Sequence, residues 1–223
     1  MRFSPRHSVL TFTCNVQYFD NKFMSFGVLE WYMVSEEESI LDMLGASLNI
    51  VCLGNAINLS WQQKLFYNAV RPVSAVRHLY GGQNITAWGG QYQGTQNIDG
   101  NDWLPYMRTM PHADYPSGTA CICSAFSEYI RRFSPDPDEF PDIPPLVFRQ
   151  GCSRREPFMT PAKDVVVEGW SSWDDFIQMC GETRLWAGVH FRPAIDSAIE
   201  LCKPLGQQCY DDYEKLKNGI EIE

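Results

Sequence analysis

Residues 117–133 read Ser-Gly-Thr-Ala-Cys-Ile-Cys-Ser-Ala-Phe-Ser-Glu-Tyr-Ile-Arg-Arg-Phe, and this stretch decides the fold class. Ser117 is a helix-capping residue. Ile122, Phe126, Tyr129, Ile130 and Phe133 follow at the spacing of one helical face. The spacing predicts an amphipathic helix opening at Ser117-Gly118. Other segments repeat the pattern. Residues 35–38 (Ser-Glu-Glu-Glu) form a capping box, and Ile40, Leu41, Leu44, Leu48, Val51 and Leu53 continue from it at helical spacing. Gly54 and Asn55 are expected to interrupt that helix. A further stretch through Trp61, Leu65, Phe66, Ala69 and Val70 should end near Arg71, because Pro72 disfavours helical geometry in the residue before it. Ser172-Trp173-Asp174-Asp175 caps a helix carrying Phe176, Ile177, Cys180 and Leu185, and a last helix fits residues 195–216.

Residues 80–118, punctuated by glycine and proline, read as one long loop packed by Trp88, Tyr92, Trp103 and Tyr106. Residues 134–163, rich in proline and charge, read as a second connection. No repeat and no strand-rich region is expected, so the fold class is all-α: a helical bundle with long functional loops. Residues 1–34 are aromatic, aperiodic and unassigned; residues 35–223 make up the helical domain.

At 223 residues the chain has length for one domain or slightly more. Apolar residues make up 44 %, with 7 Trp, 10 Tyr and 13 Phe, which excludes a disordered chain. The longest apolar stretch, residues 46–59, is broken by Asn49, Gly54, Asn55 and Asn58, and nothing reaches the roughly 18 residues of a membrane span. Arg2, Arg6 and a short apolar patch begin the chain without a clear cleavage site, which argues against a signal peptide and leaves the compartment open. The net charge of −9 argues against nucleic acid or an anionic membrane as a partner. Eight cysteines are too sparse for a disulfide-stapled miniprotein, and Cys121 and Cys123 lack zinc spacing. They read as ordinary buried or free thiols, with a few disulfides if the protein is secreted.

Three segments carry candidate chemistry. Lys64 and Arg71, seven residues apart, would face the same way on an unbroken helix, roughly 10 Å apart; the plain alternative is a solvated basic face. Tyr115-Pro116-Ser117-Gly118-Thr119-Ala120 places unpaired amides at a helix N-terminus, where they favour a phosphate-like anion, although such a cap alone is ordinary structure. Arg184 and His190 are separated by a turn at Gly188 that could wrap the histidine back toward the arginine; a lone histidine is otherwise a core residue.

Taken in order, these motifs resemble those of the vanadium-dependent haloperoxidases and type-2 phosphatidic-acid phosphatases. The haloperoxidase branch is the closer, through Ala69-Val70-Arg71-Pro72-Val73-Ser74-Ala75-Val76-Arg77, Trp103-Leu104-Pro105-Tyr106 and Trp186-Ala187-Gly188-Val189-His190-Phe191-Arg192. The resemblance spans roughly residues 45–210. It implies a vanadate site, or phosphate in the same place. Lys64, Arg71 and Arg184 would supply charge, Ser117 and the Gly118 N–H neutral donors, and His190 the axial partner, bound to vanadium or attacking phosphorus. Lys64 would polarise bound peroxide. Hydrogen peroxide and halide, or a phosphate ester, would be the small-molecule partners.

Three departures accompany the resemblance. Thr119 stands where the family has its acid/base histidine, and it has no usable pKa near neutrality; His112 is the nearest unassigned histidine that could reach in. Ala194 stands where an aspartate usually orients the axial histidine, with Asp196 two residues beyond. Enzymes of the family are generally longer, with further helices before the lysine, which suggests a truncated chain. The readings carried forward are a haloperoxidase, a phosphate-monoester hydrolase working through a phospho-histidine, and a non-enzymatic homologue. Trp88, Trp103 and Phe191 are candidates for a pocket wall or equally for core.

Overall fold

The computed structural model describes residues 40–133, 136–138, 140, 145–153, 155–167 and 169–221. The expected cap at 35–38 and the segment 1–34 lie outside the described residues. Five helices form the frame: α1 (Ile40–Tyr67), α2 (Pro72–Tyr80), α3 (Gly118–Ile130), α4 (Trp173–Trp186) and α5 (Arg192–Lys217). The chain is mostly helical, as its patterning predicts. α3 is the central element, packed against α1, α4 and α5. Every residue from Ala120 to Ile130 is buried, so the helix is enclosed on all sides rather than on the one face its apolar stripe suggests. Small residues permit this, and Ser124 Oγ donates to the Ile199 carbonyl at 2.7 Å, satisfying a hydroxyl that would otherwise be buried unpaired. Phe126 meets Trp173 and Phe176 edge-on or tilted, and with Tyr129, Ile177, Ile195 and Ile199 these rings form the core.

The helix starts follow their caps. Ser117 Oγ accepts from Ala120 N at 3.4 Å, and Ser172 Oγ accepts from Asp175 N at 3.1 Å. α1 differs from expectation: it runs unbroken through Gly54 and Asn55 and stops at Tyr67, with Asn68 in the left-handed region at φ 43°. A mid-helix glycine costs only about 1 kcal/mol, which packing against α3 and α5 offsets. The expected long loop contains an antiparallel hairpin, β1 (Asn84–Trp88) with β2 (Thr95–Asp99), registered Asn84 to Asp99 and Trp88 to Thr95. The second connection likewise holds a short ladder, β3 (Leu146–Phe148) with β4 (Val165–Val167). Both are short: the first lies among glycines, and the second has strands of three apolar residues each, too few for an alternation to show.

The cysteine expectation is corrected. Cys52 pairs with Cys209, Cys121 with Cys202 and Cys123 with Cys180, tying α1 to α5, α3 to α5 and α3 to α4. Cys152 is buried.

Gly206 marks the closest approach of α5 to α3. A Cβ there would strike the Ala125 carbonyl oxygen and lie 2.6 Å from Glu128 Cβ. Alanine would gain helix propensity but must displace backbone. Gly206→Ala should therefore cost about 1–3 kcal/mol, lowering the melting temperature by several degrees at about 2–4 °C per kcal/mol. An unchanged melt would show that the two helices can separate freely.

Candidate functional site

The break after α1 creates the site. Lys64 lies in the last turn of α1, whereas Arg71 lies beyond Asn68 in extended geometry (φ −81°, ψ 155°) as the N-cap of α2, with proline following. The two do not share a helix face as the sequence suggested; a turn brings them together instead. Leu65, Phe66 and Val70 are 76 %, 79 % and 63 % exposed, while Lys64 and Arg71 are buried. The usual placement of apolar and charged residues is inverted here. Such an inversion makes this place a candidate site.

Residues 112–117 thread between the two cations. Lys64 Nζ donates to the carbonyls of Ala113 (2.9 Å), Asp114 (3.1 Å) and Pro116 (2.5 Å). Arg71 Nε donates to the His112 carbonyl at 2.8 Å and Nη1 to the Val189 carbonyl at 2.7 Å. Asp114 N–H donates to the Ala69 carbonyl at 2.9 Å, and Ser117 N–H to the Ala194 carbonyl at 2.7 Å. His190 enters through the turn after α4, where Gly188 takes φ 71° and Val189 N–H donates back to the Arg184 carbonyl. Its Nε2 lies 3.2 Å from Arg71 Nη1, and its Nδ1 lies 2.8 Å from Asp114 Oδ1. The expected three segments therefore converge, joined by a residue the sequence reading missed. Asp114 carries only a weak signal, an acid three residues before Ser117 in a stretch otherwise apolar or basic.

The remaining predicted residues fall around this centre. Ser117 is fully buried and Gly118 and Thr119 half-buried in the first turn of α3, whose leading amides are helix-terminal donors. A Cβ on Gly118 would point between Ser60 Oγ (3.5 Å) and Lys64 Cε (4.0 Å), so the glycine keeps the helix end open toward the lysine. Arg184 is buried, with Nη1 3.8 Å from Met107 Sδ. His112 does reach in: its Nδ1 lies 3.0 Å from Arg71 Nη2, and its ring rests against Trp61. Trp88 instead braces the hairpin, donating to Glu156 and meeting Tyr106 edge-on. Trp103 packs beside Gly188, and Phe191 is the half-exposed N-cap of α5.

Electrostatics point the same way. Burial, reinforced by Arg71 and opposed by Asp114, lowers the Lys64 ammonium to a pKa of about 7. Burial lowers Arg71 as well, and it lowers His112, helped by Lys64 and Arg71. Burial outweighs the Asp114 hydrogen bond at His190 and brings it to about 4, so the ring is neutral at pH 7. Lys64 and Arg71 lie buried beside the carboxylate of Asp114, a setting that would favour an added oxyanion. The donor set, three cations with a hydroxyl, open amides and a neutral imidazole, fits a tetrahedral oxyanion such as vanadate. Among the described residues no group of three or more His, Cys, Asp or Glu could hold a metal ion.

The family described as the VCPO second helical-bundle domain matches residues 46–219. The chain belongs to the vanadium haloperoxidase superfamily. This haloperoxidase-family chain is 31 % identical to a bacterial vanadium-dependent chloroperoxidase, superposing on its holo form with a TM-score of 0.78 over 86 % of this chain and 40 % of that one. The apo form gives 31 %, 0.77, 86 % and 41 %. A bacterial vanadium-dependent iodoperoxidase, 16 % identical with a TM-score of 0.56 over 85 % of this chain and 38 % of that one, shares the fold. The haloperoxidase-family chain thus spans about two-fifths of the length of these enzymes. No curated protein sequence matches it. Among the described residues no helix is long and apolar enough to cross a membrane.

Proposed function

We propose that this chain binds orthovanadate and oxidises halide with hydrogen peroxide. The observation that carries the reading is the buried convergence of Lys64, Arg71 and His190 on the segment leading into Ser117-Gly118. Lys64, Arg71 and Arg184 would supply positive charge to the anion's oxygens, Ser117 and the Gly118 amide would donate hydrogen bonds to them, and His190 would contact the vanadium. When bound, vanadate supplies the electrophilic centre at which peroxide gives one oxygen to halide, so that H2O2, X− and H+ become HOX and H2O.

The chain's own groups bind, orient and move protons. Lys64, close to neutrality in pKa, would donate to a bound oxygen by releasing one of the Ala113, Asp114 and Pro116 carbonyls it now serves. Thr119 donates a hydrogen bond but exchanges no proton near pH 7. His112, neutral and hydrogen-bonded to Arg71 Nη2, is placed to take the acid/base part in its stead. The buried setting strengthens each of these contacts by excluding water.

The test is bromination of a phenolic indicator by the purified chain with peroxide and bromide. The expected result is activity that depends on added orthovanadate and disappears in His190→Ala. Inactivity of folded protein saturated with vanadate would overturn the reading. Release of phosphate from an aryl phosphate would replace it with hydrolase chemistry.

A further inference from the structure

His190 is oriented from an unexpected side. In the family this chain resembles, an aspartate four residues after the histidine holds it, and that position is Ala194. The Ala194 side chain is buried, and its carbonyl is already engaged by Ser117 N–H. Asp196 offers no substitute, because it is exposed and lines a surface cleft with Gln63, Tyr67, Tyr115 and Glu200. The carboxylate that reaches the imidazole comes from the loop before Ser117 instead.

We propose that Asp114 is the positioning residue of His190: its carboxylate accepts the Nδ1–H, holds the ring in that tautomer, and leaves the Nε2 lone pair facing the oxyanion site. The contact with Asp114 decides the tautomer. A carboxylate can only accept, so Nδ1, 2.8 Å from Asp114 Oδ1, must carry the hydrogen. Arg71 Nη1 lies 3.2 Å from Nε2 and 3.4 Å from Nδ1, beside the ring rather than along either lone pair. Both side chains of the Asp114–His190 pair are about 4 % exposed, so water does not compete.

Asp114 is itself fixed from three directions. Its N–H is held by the Ala69 carbonyl, its carbonyl by Lys64 Nζ, and its carboxylate lies 3.9 Å from Arg71 Nη1. It therefore links the lysine–arginine segment, the Ser-Gly turn and the histidine turn in one network. In this chain the carboxylate that meets the histidine lies in the loop before Ser117. The inference rests on the reading of His190 as axial partner only for its consequence; the tautomer itself does not depend on vanadate.

The experiment is long-range 1H–15N correlation on the full chain labelled at histidine, at neutral pH without vanadate, with His190 assigned through His190→Ala. The expected result is an Nδ1–H tautomer for His190. Asp114→Asn should lose that fixed tautomer and weaken orthovanadate binding about 10–100-fold, as removal of such outer partners does. Asp196→Asn should change neither. A wild-type Nε2–H tautomer would overturn the proposal even if Asp114→Asn fails to fold. So would an Asp114→Asn protein that keeps both the tautomer and the affinity. If the tautomer behaves as expected but no vanadate binds, Asp114 keeps its role and the haloperoxidase reading fails.

Discussion

Reduction of the three disulfides should abolish the cooperative thermal transition of this chain or lower it by at least about 15 °C. The bridges close spans of 157, 81 and 57 residues and connect α3 or α1 to every other long helix. Loop-closure entropy alone assigns about 4–5 kcal/mol to a single cross-link of such length. Because the spans overlap, the combined effect falls short of the sum. It still rivals the roughly 5–15 kcal/mol of net stability a domain commonly has. Large apolar side chains lie exposed along α1, among them Leu65 and Phe66, so burial leaves this bundle less margin than its composition suggests. The measurement is circular dichroism melting with and without reductant, alongside thiol titration in denaturant to show that at least six of the eight cysteines are oxidised beforehand. A shift under about 3 °C on fully reduced protein would mean that packing alone holds the helices.

What could be read from the sequence divides along a physical line. α3, α4 and α5 were legible because each has a side-chain cap or a proline at its start and a sustained apolar period. Those are local signals, and Ser117 and Ser172 act as caps in the structure. The continuity of α1 through Gly54 was not legible, because the contacts that offset glycine's cost come from α3 and α5, far away in sequence. The hairpin was hidden for the opposite reason: strands of 5 residues, mostly polar and partly exposed, give too short an alternation to register. The cysteine pairs are a property of helix packing and leave no trace in spacing.

At the site, Lys64, Arg71, Ser117 and His190 were legible as residue types in order. Their geometry was not, since Arg71 reaches the others through a turn rather than along a helix. Asp114 escaped because nothing local distinguishes a carboxylate that will meet a histidine 76 residues later.

Lys64→Met should weaken orthovanadate binding about 10–100-fold at pH 6, through loss of one charge-assisted contact in a buried setting. The defect should shrink as the pH rises past 7. The sign follows from the lysine's lowered pKa. Burial brings it from 10.5 to about 7 in the folded chain without an anion, so between those values the unfolded chain holds a proton that the folded chain lacks. Stability of the anion-free wild type should therefore rise with pH across this window relative to Lys64→Met, whose position 64 does not titrate. Below pH 7 both states are protonated, and the full cost of burying the ammonium is present. An oxyanion beside Lys64 favours its charged form, so binding above pH 7 must take up a proton, and affinity should fall up to tenfold per pH unit. Referring wild type to Lys64→Met at each pH removes the oxyanion's own titration. Calorimetry in buffers of different ionisation enthalpy reads the proton uptake directly, and denaturant unfolding reads the stability slope. A wild type and variant with parallel binding curves would mean that Lys64 serves only the Ala113, Asp114 and Pro116 carbonyls. Converging curves, with a stability slope that vanishes once anion is bound, would mean that the chain keeps a destabilising charge because a ligand neutralises it.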